Sequence, residues 1–242
     1  MYKILFIGIG KMGFPMAGFL SEKYEVSVYN RSKEKISIWK KKYGGNAVEN
    51  LNQLDEKFDF IISCIGNDDD LREITSNDTG CFNAIRKNTI FIDHSTVSPK
   101  IVQELELKLK EKEAFFLDAP ISGGQLGAEK GQLSIMVGGD KNAFNKSESI
   151  FEVYGKKRKY MGSSGSGQLT KIINQICIAG LVQGLSESIY FMKQTKLNPE
   201  DVLDVISSGA AQSWQMDNRF MTMTENKFDF GFAVDLMRKD LS

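Results

Sequence analysis

One histidine, three cysteines and a net charge of zero constrain this 242-residue chain before any motif is considered. A single histidine, His94, excludes a histidine-rich metal site and any catalytic triad that does not use it. Cys64, Cys81 and Cys177 are too few and too scattered for a disulfide framework or a zinc site, so no metal is expected. They suit a reducing compartment, and the cytoplasm is the expected location. Lys plus Arg and Asp plus Glu both number 31, so no net field draws nucleic acid or an anionic membrane. The basic clusters at 40–42 and 156–159 read as solvated faces.

Long uninterrupted apolar runs are also missing. The run from Ile4 to Ile9 breaks at Gly8, which suits a buried strand better than a secretory leader. A second stretch, from Ile172 to Met192, is interrupted by Asn174, Gln175, Gln183 and Glu187, which argues against a membrane span. A soluble protein with neither nucleic acid nor membrane as partner is expected. There is no internal repeat and no low-complexity linker.

What is present is an alternation of short apolar runs with amphipathic stretches. Strands are expected at 3–7, 26–29, 58–64, 89–93, 115–117, 133–137 and 157–161. Helices are expected at 12–22, 33–43, 69–75, 99–112 and 141–153. Such alternation makes βαβ units and a mainly parallel, doubly wound sheet of the Rossmann type. After Gly165 the strands stop and the pattern becomes all-helical. The stretch 167–194 reads as one long helix, apolar nearly all round and hence largely buried. The expected organisation is an α/β domain over 1–162 and a helical domain over 163–242. The helical pattern is still running at Leu241, so the second domain reads as incomplete.

Gly8-Ile9-Gly10-Lys11-Met12-Gly13 follows the first strand and precedes a helix, the context a dinucleotide fingerprint requires. Its glycines permit a tight turn and close approach of the backbone to a pyrophosphate. At the end of the second strand, where an acidic residue would hold the ribose of NAD, stand Asn30, Arg31 and Ser32. A guanidinium there can clamp a 2′-phosphate and the two neutral side chains can hydrogen-bond it, so NADP is the expected cofactor, with NAD possible.

Two further segments carry chemistry. Residues 118–131 hold four glycines, a proline and a serine, and are expected to give up regular structure. That loop reads either as a wide turn or as an anion site. Lys171 lies in the first turns of the long apolar helix, with Asn174 on the same face. Burial would depress its pKa toward the range of a general acid or base, while the alternative is a lysine with its head in solvent.

These segments, with Asp93-His94-Ser95-Thr96-Val97-Ser98-Pro99 and Lys239-Asp240-Leu241, resemble the β-hydroxyacid dehydrogenases. That family contains 3-hydroxyisobutyrate dehydrogenase, tartronate semialdehyde reductase and glyoxylate/succinic semialdehyde reductase. The resemblance runs in order along the whole chain. It implies reversible hydride transfer between NADP(H) and a small β-hydroxy acid or its semialdehyde, with Lys171 as the acid/base. Ser122, Gly123 and Gly124 would hold the substrate carboxylate and Asn174 would orient the substrate. Thr96 would line the nicotinamide side, Lys239 would reach the cofactor, and Ile65 and Gly66 would contact it from their loop. The family often has proline where Gly66 stands, a departure expected to loosen that loop. His94 reads as structural.

The family's helical domain usually runs further and builds a dimer or tetramer, so a homo-oligomer through the C-terminal domain is implied. An imine reductase shares the architecture, but Lys171 argues against it. A glyoxylate/succinic semialdehyde reductase and a non-catalytic NADP-binding relative remain as alternatives.

Overall fold

The computed structural model describes residues 1–54, 57–229 and 231–242. The chain begins β1 (Lys3–Ile7), α1 (Gly13–Ser21), β2 (Glu25–Tyr29), α2 (Lys33–Tyr43) and β3 (Asn46–Ala47). It continues through β4 (Phe60–Ser63), α3 (Asp68–Thr75), β5 (Ile90–Asp93), α4 (Pro99–Glu111) and β6 (Phe115–Asp118). Then come β7 (Ile121–Ser122), α5 (Gly124–Glu129), β8 (Leu133–Gly139), α6 (Lys141–Tyr154) and β9 (Gly155–Gly162). The remainder is helical: α7 (Ser166–Lys193), α8 (Pro199–Ser207), α9 (Trp214–Thr224) and α10 (Val234–Leu241).

The described strands form one sheet in the order β3-β2-β1-β4-β5-β6-β8-β7, with β9 paired to β8. The pairs from β3 through β6 are all parallel, whereas β8 runs antiparallel to β6 and β7. This is a Rossmann-type, doubly wound sheet with an antiparallel extension. Its strands are apolar on both faces because both faces are covered. Ile4, Phe6, Val26, Val28 and Ile62 pack with Met16 and Leu20 of α1, Trp39 of α2 and Phe151 of α6. The alternate positions Leu5, Ile7, Ile61 and Phe91 pack with Leu71 of α3 and Leu105 of α4.

Helix ends follow their sequence signals. Ser98, Asp140, Asn198 and Ser213 each accept a hydrogen bond from a first-turn N–H, and Pro99 and Pro199 stand in first turns that need no such donor.

By contact the chain divides into two compact units, Met1–Lys171 and Ile172–Ser242. The division by contact falls inside α7, because the first turn of α7 is bonded to Asp118 at the end of β6. In the second unit, Leu185, Ile189 and Met192 of α7 pack with Met216 and Phe220 of α9.

Two expectations are corrected. Residues 118–131 keep regular structure, the β7 bridge and the short helix α5. Glycine content disguised both, since Gly123 and Gly124 have φ of +130° and +62° and set up the turn into α5. Helix α7 is also not largely buried: Leu169, Ile173, Ile176, Leu181, Tyr190 and Phe191 are exposed. An all-round apolar composition cannot reveal which faces one chain covers by itself. The polar residues Gln168, Lys171 and Gln175 are among its buried positions instead.

Candidate active site

The carboxyl ends of β1, β4, β5 and β6 share one edge of the sheet, so the loops leaving them converge there. The first carries the glycine cradle. Gly8 has φ +93° and donates to Tyr29 O at 2.9 Å; a Cβ on it would lie 2.4 Å from Cys64 O. A Cβ on Gly13 would lie 2.0 Å from Gly8 O, whereas one on Gly10 meets nothing within 4 Å. Gly8 and Gly13 therefore close the turn, and Gly10 leaves a bare backbone face. Met12 offers no side-chain cap to α1, so its positive end is kept for an anion. The residues present fit a dinucleotide pyrophosphate. Ile9 is buried, Met12 half-buried and Lys11 exposed.

At the end of β2 the expected roles of three neighbours separate. Asn30 Oδ1 accepts from Ile9 N at 3.2 Å and its Nδ2 donates to Ser32 O at 3.3 Å. Ser32 caps α2, accepting from Lys35 N at 3.4 Å. Both side chains thus hold the turn itself. Arg31 is exposed at a cavity of about 250 Å³ that Tyr29, Asn50 and Glu73 also line. Its guanidinium pairs with Asp70 at 3.0 Å and approaches Glu73 at 3.9 Å. Gly66, on the loop after β4, makes room for Asp70: a Cβ there would stand 2.7 Å from Asp70 Oδ2.

Ile65, on the same loop, donates its N–H to Ser95 Oγ at 2.9 Å. Ser95 Oγ in turn donates to Asp93 Oδ1 at 2.6 Å. Asp93 Oδ1 also accepts from Ser63 Oγ at 2.7 Å and Ser95 N at 3.1 Å. Burial raises the Asp93 pKa, and its Oδ2 has no hydrogen-bond partner among the described residues. His94 is buried between Ala119 O, 2.6 Å from Nδ1, and the Tyr154 hydroxyl, 2.9 Å from Nε2. A carbonyl only accepts, so Nδ1 carries the proton and Nε2 accepts from Tyr154. Burial pushes its pKa down to about 4, keeping it neutral. Thr96 follows in the same loop, half-buried.

Asp118 ends β6 and anchors the helix that carries the lysine. Its two oxygens accept from Gly165 N at 2.8 Å and Gln168 N at 2.9 Å. Gly167 lies so close that a Cβ would stand 2.5 Å from Asp118 O and Met136 O. Lys171 follows one turn later and is buried. Ser122 is half-buried at the end of β7, with Gly123 and Gly124 exposed after it.

Asn174 and Lys239 belong to the second unit and are linked there. Asn174 Nδ2 donates to Gln175 Oε1 at 2.9 Å, and Gln175 Nε2 donates to Asp240 Oδ2 at 2.7 Å. Lys239 Nζ pairs with Asp240 Oδ1 at 2.7 Å. Sequence reasoning gave no role to Asp70, Ser95, Asp118, Gln168, Gln175 or Asp240. Most stand inside recognised motifs, which was the available signal, but their partners are distant in sequence.

A glycine cradle at the switch point of the parallel strands fits a dinucleotide, and α7, after the last strand, carries a buried lysine: the arrangement of a nicotinamide-dependent oxidoreductase, which known proteins bear out. Residues 3–162 match the NAD binding domain of 6-phosphogluconate dehydrogenase, and residues 165–242 match the NAD-binding domain of NADP-dependent 3-hydroxyisobutyrate dehydrogenase. An uncharacterized oxidoreductase of Shewanella frigidimarina is 45% identical over 100% of this chain and 83% of its own length. The 2-hydroxy-3-oxopropionate reductase of Escherichia coli is 32% identical over 99% of this chain and 82% of its own. The structure of Mycobacterium tuberculosis 3-hydroxyisobutyrate dehydrogenase with L-serine superposes with a TM-score of 0.88 at 26% identity, covering 99% of this chain and 84% of that one. The chain belongs to the β-hydroxyacid dehydrogenase family and is an NAD(P)-dependent dehydrogenase.

Proposed function

We propose that this enzyme interconverts a small β-hydroxy acid and its semialdehyde, with NADP(H) preferred, in the manner of a 3-hydroxyisobutyrate dehydrogenase or 2-hydroxy-3-oxopropionate reductase. The observation that carries the reading is Lys171, whose side chain is withdrawn from water on the helix that Asp118 anchors. The nicotinamide, when bound, supplies or accepts the hydride. Lys171 Nζ takes the proton of the substrate hydroxyl in oxidation and returns it to the carbonyl oxygen in reduction. Ser122, Gly123 and Gly124 bind the carboxylate, Asn174 orients the substrate, and Thr96, Ile65, Gly66 and Lys239 border the cofactor. Arg31 supports the preference for NADP because it puts a cation where the second strand ends. The carboxylates of Asp70 and Glu73 weaken that preference, so NAD is retained as an alternative cofactor.

The same reading covers the surroundings. Helix α7 is long and apolar enough to cross a membrane by length and composition. Its exposed Leu181, Val182, Tyr190 and Phe191 instead fit a second copy of the chain, in a cytoplasmic homo-oligomer. Light scattering on the purified protein checks this, and a monomer at micromolar concentration removes it.

The test of function is a steady-state screen of 3-hydroxyisobutyrate, 2-hydroxy-3-oxopropionate, glyoxylate and succinic semialdehyde with both cofactors, on wild type and Lys171→Ala. Loss of the acid/base is expected to lower kcat by about 10²–10⁴-fold, with NADPH affinity nearly unchanged. Full turnover in Lys171→Ala refutes the assignment, and tight NADPH binding without turnover of any compound favours a non-catalytic relative.

A further inference from the structure

We propose that Gln168 is a positioning residue that holds the Thr96 loop in register with Lys171. The proposal rests on the roles assigned above to Thr96 and Lys171. Gln168 is fully buried, and its amide spends both ends on the main chain of one loop. Nε2 donates to Ser95 O at 2.8 Å, and Oε1 accepts from Val97 N at 3.2 Å. Those two groups flank Thr96, so one side chain brackets the residue from both sides. The N–H of Gln168 donates to Asp118 Oδ2 at 2.9 Å, which fixes the turn of α7 from which the amide reaches. Lys171 follows three residues later, on the same face of the helix.

The link extends past Thr96. Ser95, whose carbonyl receives the Gln168 amide, also receives the Ile65 N–H on its hydroxyl and passes its own proton to Asp93. The loop after β4, the loop after β5 and the helix carrying Lys171 are thus joined through two side chains, Ser95 and Gln168. The chemistry of the side chain is specified by its partners. Ser95 O can only accept and Val97 N can only donate, so the bridge needs a donor and an acceptor on one planar group. A leucine satisfies neither. A glutamate keeps the acceptor for Val97 N and, while ionised, presents no donor to Ser95 O.

The consequence is a reaction geometry set by a residue that touches neither proton nor hydride. Misplacement of reacting groups by about 1 Å costs roughly 10²-fold in rate. Gln168→Leu is therefore expected to lower kcat by about 10–100-fold while NADPH affinity stays within about threefold.

Three measurements test the proposal on the whole chain. First, kcat is compared for wild type, Gln168→Leu and Lys171→Ala with 2-hydroxy-3-oxopropionate or 3-hydroxyisobutyrate, whichever wild type turns over faster. Second, amide exchange at Val97 is followed without cofactor. It is expected to accelerate at least tenfold in Gln168→Leu and to stay at the wild-type rate in Lys171→Ala. Third, the rate of Gln168→Glu relative to wild type is followed from pH 8 to pH 5.5. Burial raises a carboxyl pKa, and the protonated acid regains a donor for Ser95 O, so the ratio is expected to climb as pH falls. A merely structural role predicts a flat ratio.

Gln168→Leu within threefold of wild-type kcat, while Lys171→Ala has lost turnover, overturns the proposal and leaves the acid/base reading intact. Full turnover in Lys171→Ala, or no turnover by wild type, removes the acid/base reading and the proposal with it. Unchanged Val97 exchange overturns the bridge itself. If Gln168→Leu does not fold, the glutamate series decides, and a flat ratio overturns the proposal.

Discussion

Arg31 and Asp70 form an ion pair across two loops, guanidinium to carboxylate at 3.0 Å. Gly66 leaves room for this arrangement, since a Cβ there would stand 2.7 Å from the other carboxylate oxygen. In the proposed reading the 2′-phosphate of NADP competes with Asp70 for Arg31. An exposed pair of this kind is worth up to about 1 kcal/mol, or roughly fivefold in affinity. Asp70→Asn is expected to raise the preference for NADPH over NADH by about three- to fivefold. Gly66→Ala, which pushes the carboxylate aside, should move it in the same direction. Fluorescence titration with both cofactors checks the pair of variants; an unchanged ratio would detach Arg31 from cofactor choice.

Asp118 predicts a pH dependence of stability. Burial pushes its pKa up from 3.8 to about 6, although the N–H groups of Gly165 and Gln168 pull it down. The folded chain therefore holds this proton more tightly than the unfolded chain does. The resulting stabilisation is complete below about pH 4 and lost as pH rises through about 6. The stability of wild type relative to Asp118→Asn is expected to fall between pH 4 and pH 7, by an amount on the order of 2–3 kcal/mol. The nearby Asp93 carboxyl, present in both proteins, adds to the upward push that burial gives Asp118. Thermal melts at half-unit pH steps measure it, and a constant difference would mean that Asp118 is ionised throughout.

The three cradle glycines should not be equivalent. Gly13→Ala drives a Cβ to 2.0 Å from Gly8 O, so the backbone of the turn must move. Its cost should reach about 3 kcal/mol, lowering Tm by roughly 6–12 °C in a chain of this size. Gly10→Ala meets nothing within 4 Å and should melt within about 2 °C of wild type. The added methyl instead occupies the bare backbone face, so NADPH affinity should fall by about tenfold or more. Equal melting of the two variants, or undiminished binding by Gly10→Ala, contradicts this division of labour.

Much of the fold was legible because its signals are local. The run from Ile4 to Ile7 and the glycine spacing at 8, 10 and 13 each declare an element within a few residues of themselves. Where glycine sits inside a helix and not at a turn, as at Gly127 in α5, the same local reading fails. The strand Asn46–Ala47 escaped for a different reason, since two exposed residues carry no periodicity. The spacing at Asn30 and Ser32 points toward a phosphate but does not reveal that both side chains also bond within their own turn.

Composition and pattern were therefore enough for the parallel sheet, the cradle and the placement of a lysine on the helix that follows. Those properties depend on side-chain periodicity and on the absence of a Cβ, which neighbours in sequence share. The chain alone could not state whether Lys171 ends in water, that Gln168 reaches across to Ser95, a residue 73 positions away, or that Asp118 holds the helix at Gly165, 47 positions away. Such contacts arise only when crossover connections bring strand ends together, because a buried amide or carboxylate takes whichever partner the packing leaves within 3 Å. That a lysine stands at 171 is a local fact; the contacts that bury it belong to the fold.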